Sequence, residues 1–579
     1  MSPHDAAARA SLKGGGWLFD VQAPGETLTP ESRTEDQQLI SQTVRDFVAS
    51  SVAPSLDRLD QKDWQCARDL VRQAGALGLL GVDVPEEEGG VHTDTATSMI
   101  VSEGLAQPAS FAATIGAQVN LTILPLVLFG TSAQKERYLP RLLSGELIGA
   151  YGLTEPGAGS DALGGRTSAT PSGSGYVLNG EKMWITNGGF ADVFIVFAKV
   201  DGDKFSAFIV ERAFGGVTSG REEHKLGLHG SSTTAVTFRD TPVPAANLLG
   251  EVGKGHTIAF NVLNFARLKL GATCAGSART AIGEASRYAA FRRQFGQSIS
   301  TFGAIRHKLG EMVVRTYAAD SMNYRTAGLI DQQVGSSWSP ATLVSALEEF
   351  AVEASMAKVT GSEALDFVLD ENIQIHGGNG FVRDYPAERY YRDARVNRIF
   401  EGTNEINRLL IPGLLAKRAA ARRVDLNASS QTRAGTAVSA VLSKQRHAIE
   451  GFKRAALGTL QAAVRTFGPT LSSEQEVLIH CADLLMDVYA AESVTLRAAA
   501  AAHAPLADLH ADVAGIFVHD AALRIASSSR QALSATLSGS DLEDSLKAVT
   551  GPLQPSPLNT AAGRRRIADE TVRRGSYPF

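Results

Sequence analysis

Apolar residues recur at helical spacing in the first third of the chain. Thr34 to Gln37 has the pattern of a capping box, in which the first and last side chains bond each other's backbone N–H groups. Ile40, Val44 and Phe47 follow at intervals of three and four residues, which predicts one buried helical face. We therefore predict an arm over residues 1–33 and an all-α domain over 34–148.

From residue 149 the pattern changes to short β-branched and aromatic runs separated by turn pairs. Asn179-Gly180 lies between two such runs and predicts a hairpin, because both residues tolerate a positive φ. Asp201-Gly202 repeats this signal between Val193–Phe197 and Phe205–Val210. A compact antiparallel β domain is predicted over residues 149–250.

Helical periodicity returns in three long stretches, each of a length suited to a helical bundle. They run from Gly255 to Arg293, Gly303 to Leu329 and Leu343 to Val368. A polar linker is predicted over 417–432, and residues 433–579 are rich in Ala and Leu. The predicted fold class is α+β: an all-α N-terminal domain, a central antiparallel β domain, an α-helical bundle domain (251–416) and an extra C-terminal helical domain.

Composition narrows the functional classes. A net charge of −5 over 579 residues, with a nearly neutral tail, argues against nucleic-acid binding. Cys66, Cys274 and Cys481 have no metal-ligand spacing and no disulfide pattern, so no metal is expected and a cytoplasmic location is favoured. We also expect no signal peptide, no transit peptide and no bilayer-spanning segment.

Two neighbouring segments suggest a base and a cofactor in one place. Glu401 is a lone acid between an apolar pair and Gly402-Thr403, a setting that suits a catalytic carboxylate. About two dozen positions earlier, Gln374–Phe381 contains a glycine cluster that lets backbone N–H groups approach an anion.

Three further motifs are weaker when taken singly. Thr154–Asp161 combines glycines with hydroxyls but also fits a plain polar loop. Trp184–Gly189 offers an indole on which a planar ring could stack, although core packing explains Trp184 equally well. Arg292–Gly296 suits a pyrophosphate, but basic residues are also common where a helix ends.

Taken in order, these motifs resemble those of the acyl-CoA dehydrogenase family. The five matching segments are Thr154–Asp161, Lys182–Gly189, Arg292–Gly296, Gln374–Phe381 and Arg398–Ile406. The resemblance covers roughly residues 35–415, and the tail resembles, more loosely, the C-terminal extension of the very-long-chain branch. It implies an FAD enzyme that oxidises a fatty acyl-CoA to the trans-2-enoyl-CoA in β-oxidation and passes electrons to an electron-transfer flavoprotein.

The resemblance assigns roles residue by residue. Residues matched to flavin-ring contacts are Leu153, Thr154, Trp184 and Thr186, with Ser160 beside the thioester end of the substrate. Residues matched to the pyrophosphate and adenosine part of FAD are Arg292, Gln294, Phe295, Gln374, Gly377 and Gly378. In this family that part of FAD crosses a subunit boundary, so a homodimer is implied. Thr403 matches a cofactor-contacting hydroxyl, and Arg267 an arginine near the base.

The same resemblance implies that Glu401 is the catalytic base. Some relatives carry the base on the bundle helix instead, but the matching residue here is Ala266, which cannot accept a proton. The backbone N–H of Glu401 and a flavin ribityl hydroxyl would polarise the thioester carbonyl. Burial beside Phe400 is expected to raise the pKa of Glu401 toward neutrality.

The motifs indicate the length of the acyl chain and the electron acceptor less directly than they indicate the reaction. Small residues at Ala113 and Ala117, with Gly116 between them, match pocket-floor positions and favour a long acyl chain, although they also permit close helix packing. An acyl-CoA oxidase and an FAD-binding assembly protein are the alternatives. The extension leaves peripheral membrane contact open, with the basic stretch from Lys417 to Arg423 as a lipid-facing arm or a solvated linker.

Overall fold

A computed structural model describes residues 12–20, 22–91, 93–426, 441–553 and 557–579. The first domain is helical, and its helices are α1 (Glu35–Phe47), α2 (Leu56–Asp60), α3 (Trp64–Ala76), α4 (Thr95–Gly104), α5 (Ala109–Gln118), α6 (Leu124–Phe129) and α7 (Ser132–Leu143). The predicted capping box forms, since Thr34 Oγ1 accepts from the Gln37 N–H and Gln37 Oε1 accepts from the Thr34 N–H. The predicted buried face of α1 forms as well, with Val44 and Phe47 buried.

A π-helical turn, Val119–Ile123, joins α5 to α6 and makes one continuous apolar stretch. Among the described residues, this stretch of Ala109–Phe129 is the one helix long and apolar enough to cross a membrane. Because 72% of its most apolar window is buried inside the protein, its composition is weak evidence for a span.

The second domain is a twisted sheet. Its strands are β1 (Gly149–Gly152), β2 (Ser168–Ser172), β3 (Gly175–Thr186), β4 (Val193–Val200), β5 (Lys204–Glu211), β6 (Val217–Glu222), β7 (Thr233–Pro244) and β8 (Leu248–Leu249). Their order is β6-β7-β3-β2-β4-β5-β8, and β1 pairs with β4. Most pairs are antiparallel as predicted, but β1 and β2 each run parallel to β4.

The hairpin predicted at Asn179-Gly180 is wrong. Both residues lie inside the single strand β3, where the register against β7 shifts between Leu178 and Gly180. Asn179 instead bonds Asp240 of β7 in both directions, through its amide nitrogen and its amide oxygen. Pairing with β7 therefore turns the Asn-Gly signal into a β-bulge. The Asp201-Gly202 prediction is confirmed as the turn between β4 and β5.

The remaining helices form the bundle and the C-terminal domain. The bundle contains α8 (Gly255–Phe291), α9 (Gly303–Val334), α10 (Pro340–Glu349), α11 (Ala351–His376), α12 (Ala387–Ala394) and α13 (Asn404–Ala420), with the short strands β9 (Arg293–Gln294) and β10 (Gln297–Ser298) after α8. The C-terminal domain contains α14 (Ser443–Phe467), α15 (Gln475–Ala500), α16 (Ala507–Thr536), α17 (Gly539–Thr550) and α18 (Thr560–Arg574). Part of the predicted linker, residues 427–432, lies outside the described residues.

The two helical regions share one apolar core that also holds the N-terminal arm. Trp17 of the arm is fully buried, and its indole N–H donates to Glu353 of α11 at 2.9 Å. The same ring packs against Tyr489 of α15 with a centroid distance of 5.0 Å. The arm therefore connects the bundle to the C-terminal domain.

Candidate active site

Glu401 lies in the tight turn that precedes α13. Its φ of 57° is unusual for a residue with a side chain, and Gly402 follows with a φ of 79°. Thr403 then caps α13, because its hydroxyl accepts from the Ile406 N–H at 3.2 Å. The Gly-Thr pair thus starts a helix immediately after the acid and holds Glu401 in a strained conformation of the kind found at functional sites.

Two buried cations fix this turn from neighbouring helices. Arg267 of α8 donates from Nε to the Glu401 carbonyl oxygen at 3.1 Å. Lys358 of α11 is fully buried and donates from Nζ to the Gly402 carbonyl at 2.8 Å and to Asn404 Oδ1 at 2.7 Å. Asn407 donates to the same Gly402 carbonyl at 2.8 Å.

Sequence reasoning placed Arg267 beside the acid but missed Lys358 and Asn407. Asn407 lies six residues after Glu401, on the first turns of α13, so an Asn at this spacing was a signal that could have been used. Lys358 lies in a buried stretch of α11, and only the packing of α11 against the turn explains its charge there.

Burial dominates the electrostatics of Glu401. Desolvation raises its pKa to about 7, although Arg267 and Lys358 pull in the opposite direction. Burial also lowers the pKa of Lys358 to about 8 and that of Arg267 to about 10. A carboxyl group with a pKa near neutrality is well matched to proton abstraction at physiological pH.

Tyr151 of β1 is a further residue that sequence reasoning missed. Burial raises the pKa of its hydroxyl well above the usual value, and the charge of Glu401 adds to this rise. The hydroxyl is buried and has no hydrogen-bond partner among the described residues. β1 thus brings the sheet domain against the acid.

The residues predicted to touch the flavin ring come together just after β1. Lys182 of β3 is buried and donates to the Leu153 carbonyl at 3.3 Å and to Glu155 at 2.7 Å. The Met183 N–H donates to the Thr154 carbonyl at 2.9 Å. Two segments that are thirty residues apart in sequence are therefore fixed side by side.

Trp184 is exposed by an irregularity in β3. The register against β7 shifts between Lys182 and Ile185, and Trp184 adopts a φ of 60°. Its indole is 56% exposed, whereas Thr186 returns to regular pairing with Thr233. A large exposed ring beside a hydroxyl suits a planar heteroaromatic ligand.

The residues matched to the adenosine part of FAD meet at the far ends of α8 and α11. The ring of Tyr288, on the last turn of α8, stacks on the imidazole of His376 with 4.0 Å between the ring centroids. The Tyr288 hydroxyl donates to the His376 carbonyl. The predicted contacts around this pair are Arg292, Gln294, Phe295, Gln374, Gly377 and Gly378, and all six are exposed. A Cβ added to Gly377 or Gly378 would meet no atom within 4 Å, so both backbones border open space that a ligand can approach.

His376, the last residue of α11, is fixed by the residues around it. The imidazole is buried, and its Nδ1 lies 2.8 Å from the Asn372 carbonyl. Burial lowers its pKa, so the ring acts as a neutral packing partner for Tyr288.

A cavity of about 40 Å³ lies between α4, α5 and α8. The α5 residues that line it include Ala112 and Gly116, while Ala117 is buried in the helix packing at 2% exposure. Ala113 and Ala117 are outside its lining, so their role in setting chain length stays a prediction. Ser160 is exposed, two residues beyond the turn that Glu155 and Ala158 close.

Comparison with known proteins agrees with this geometry. Family models described as the N-terminal, middle and C-terminal domains of acyl-CoA dehydrogenase match residues 34–146, 150–241 and 253–413. A further model, also described as an acyl-CoA dehydrogenase C-terminal domain, matches residues 451–550. Together they match more than half of the chain.

Similar proteins extend the match to nearly the full length. A probable acyl-CoA dehydrogenase of Bacillus subtilis is 42% identical over 96% of this chain and 97% of its own. The human mitochondrial very long-chain specific acyl-CoA dehydrogenase is 42% identical over 62% of this chain and 53% of its own. A crystal structure of an acyl-CoA dehydrogenase complexed with FAD from Bacillus anthracis has a TM-score of 0.94 and 40% identity, covering 98% of this chain and 100% of that one. The chain therefore belongs to the acyl-CoA dehydrogenase family and is an FAD-dependent oxidoreductase.

Proposed function

We propose that this enzyme converts a long-chain fatty acyl-CoA to its trans-2-enoyl-CoA in fatty acid β-oxidation, with Glu401 as the base. The observation that carries the proposal is the half-buried Glu401 turn, held between α8 and α11. The Glu401 carboxyl group has a pKa of about 7 and lies within electrostatic range of Tyr151, while Arg267 and Lys358 donate to the backbone carbonyls of Glu401 and Gly402.

Dehydrogenation removes one proton and one hydride from neighbouring carbons and leaves a double bond between them. Glu401 takes the proton from the α-carbon, and its carboxylate becomes a neutral acid. FAD, when bound, supplies the acceptor for the hydride that leaves the β-carbon. Arg267 and Lys358 hold the Glu401 backbone in place, so the Glu401 N–H is available to polarise the thioester carbonyl.

The residues that would hold FAD fall into two groups. Leu153, Thr154, Trp184 and Thr186 would contact the flavin ring, with Thr403 beside the catalytic turn and Ser160 toward the thioester. The second group, around Tyr288 and His376, would take the pyrophosphate and adenosine. Lys358 and Gln374 are sixteen residues apart on α11, a distance of about 24 Å, so the second group lies far from Glu401 of the same chain.

We propose that a second copy of the chain brings the two groups together. Phe291, Phe295 and Phe381 are 84%, 92% and 86% exposed at the adenosine end. Exposed aromatic rings at one end of a bundle mark an interaction surface. A homodimer would cover these rings and complete each FAD site across the boundary.

Substrate and partner assignments rest on smaller observations. Gly116 and Ala112 leave the cavity between α4, α5 and α8 open, which supports a tail that extends past the reacting carbons. The human relative is named as very long-chain specific. An electron-transfer flavoprotein is the proposed electron acceptor.

The proposed cellular location rests on the free cysteines, and the proposed membrane contact rests on the C-terminal domain. All three cysteines are free and buried, which supports a reducing compartment such as the cytoplasm. Peripheral membrane contact of the C-terminal domain is a weaker proposal, and absence of sedimentation with liposomes at low salt would contradict it.

Anaerobic mixing of the purified holoenzyme with butyryl-CoA, octanoyl-CoA and palmitoyl-CoA tests the activity. We expect the visible flavin absorbance to bleach most rapidly with palmitoyl-CoA. Loss of bleaching with every substrate would reject the proposal. Subsequent exposure to air distinguishes the two electron acceptors, since fast reoxidation would indicate an oxidase and slow reoxidation a dehydrogenase.

A further inference from the structure

Two cavities lie near each other where the N-terminal domain meets the bundle. The first, of about 40 Å³, lies between α4, α5 and α8. The second, of about 290 Å³, lies between the loop before α4, Phe265 of α8 and the segment from Val334 to Leu343. The first is large enough for only a small part of an alkyl chain. The second is larger and lies beside the exposed residues Asp94, Gly335 and Ser336, so a chain that entered it would pass toward solvent.

A buried ion pair lies between them. Lys269 lines the first cavity and Asp83 lines the second. Their side chains meet at 2.7 Å between Nζ and Oδ2, and they are only 6% and 8% exposed. Lys269 Nζ also lies 5.3 Å from the ring centroid of Phe265, which lines the second cavity, so the lysine is held from both sides.

The first cavity is connected to the catalytic turn through two elements. Arg267, which bonds the Glu401 carbonyl, and Thr273, which lines the cavity, are six residues apart on α8, about 9 Å along its axis. α5, on the opposite wall, is bonded to β1, because Gln118 Oε1 accepts from the Gly149 N–H at 2.7 Å. β1 carries Tyr151, which lies within electrostatic range of Glu401. An acyl tail that leaves the reacting carbons along α8 would therefore reach this cavity.

Burial of an ion pair at the end of a mostly apolar pocket costs desolvation free energy. Replacing buried ion pairs by apolar residues of similar volume is often neutral or stabilising, so stability alone does not explain the pair. An alkyl tail that pushed it aside would leave two buried charges without partners. A growing chain therefore stops at the pair.

We propose that the Lys269–Asp83 ion pair is the end wall of the acyl-tail channel and sets the upper limit of chain length. This rests on the proposed dehydrogenation of long-chain acyl-CoA. Tail methylenes gain affinity up to the wall, and a longer tail has to leave part of its length unburied or displace the pair.

The test is the double variant D83A/K269A, which removes both charges together and joins the two cavities. We expect kcat/KM for lignoceroyl-CoA, relative to palmitoyl-CoA, to rise about tenfold or more, because each newly buried methylene contributes roughly fourfold. The matched variant D83L/K269M also removes both charges but refills the wall, and its ratio should stay near that of the wild type.

K135A/E88A provides a second control. Lys135 and Glu88 form a 2.7 Å pair in the same domain, with side chains 15% and 21% exposed, and neither lines a cavity described above. Its ratio of kcat/KM for lignoceroyl-CoA to that for palmitoyl-CoA should also be unchanged.

An unchanged ratio in a D83A/K269A protein that binds FAD and reduces with palmitoyl-CoA would overturn the proposal. So would an equal rise in D83L/K269M, because charge and not volume would then be responsible. If the alanine pair does not fold, D83S/K269S opens much of the same space while allowing a hydrogen bond across it, and the same ratio decides. Failure of the wild type to reduce with any acyl-CoA would instead contradict the proposed function.

Discussion

The ionisation of one carboxyl group controls the proposed reaction. Burial raises the pKa of Glu401 to about 7, so the carboxylate form, which accepts the proton, increases as the pH passes through neutrality. Arg267 and Lys358 limit this rise, because each stabilises the negative charge. The turn therefore sets both the position and the strength of the base.

Replacement of Glu401 by glutamine should remove the base while leaving its shape. We expect E401Q to slow anaerobic flavin bleaching by palmitoyl-CoA by about 10²- to 10⁴-fold or more, with FAD still bound. E405Q is the control, because Glu405 lies four residues later and is exposed. Rapid bleaching in E401Q would show that another group abstracts the proton.

Lys358 should act on the pH dependence as well as on packing. In K358M the positive charge near Glu401 is lost, so the pKa of Glu401 should rise by up to about one unit. The pH at which flavin reduction reaches half its maximum should move upward with it. Arg267 of α8 keeps its charge in this variant, and the Tyr151 hydroxyl of β1 is neutral in this range, so neither offsets the shift.

K358R keeps the charge and should reduce flavin with a pH midpoint close to that of the wild type. A loss of stability in K358M with no change in the midpoint would mean that Lys358 only holds the turn. Thermal unfolding and stopped-flow reduction over a pH series separate these outcomes.

Within the sheet, β1 and β3 cooperate to shape the flavin-ring site. One buried pair, Lys182 and Glu155, helps to join β3 to the segment after β1; Nζ and Oε1 are 2.7 Å apart, and the side chains are 1% and 8% exposed. Although burial opposes ionisation of Glu155, Lys182 outweighs it and the pKa falls to about 2. The Glu155 carboxyl group is therefore ionised at neutral pH, while burial lowers the pKa of Lys182 and Glu155 opposes that fall. Lys182 fixes the Leu153 carbonyl, and the neighbouring Met183 N–H donates to the Thr154 carbonyl.

K182M should leave Glu155 buried without its cation. We expect unfolding to become easier by about 3–5 kcal/mol and the purified protein to contain much less FAD. K182M/E155Q removes both charges and should recover part of the stability. Absorbance ratios measure FAD content, and denaturant unfolding measures stability; full FAD content in K182M would contradict the positioning role.

The whole chain is held together by contacts that connect its ends to its middle. Arg497 of α15 is buried, and its Nη2 donates to Glu31 of the arm at 2.6 Å. Its guanidinium lies 3.7 Å from the ring centroid of Tyr317 on α9. One side chain thus connects the C-terminal domain, the arm and the bundle.

R497A should therefore loosen the C-terminal domain. It leaves the Glu31 carboxylate without its main partner, so we expect a loss of about 3–5 kcal/mol and faster proteolysis of the C-terminal domain. R566A is the surface control: Arg566 pairs with Asp512 at 57% side-chain exposure, and exposed pairs contribute about 1 kcal/mol or less. Equal effects of both substitutions would show that Arg497 does not connect the domains.

Local signals explain which parts of the fold were predictable. The capping box before α1 and the turn at Asp201-Gly202 form as predicted, because each depends on residues a few positions apart. Asn179-Gly180 also carries a local turn signal, but pairing of β3 with β7 overrides it. A neighbouring strand that supplies hydrogen bonds along its length outweighs the preference of two residues.

The sequence by itself determined the order of the domains, the family motifs and the setting of Glu401 between an apolar pair and Gly402-Thr403, because these depend on residues that are neighbours in the chain. Only the tertiary structure decided which distant groups meet at the site. Lys358 and Tyr151 approach Glu401 from α11 and β1, and Lys269 meets Asp83 across two domains. The periodicity of apolar residues does not predict such contacts. They arise when helices and strands pack their apolar faces together and bring a few polar side chains with them.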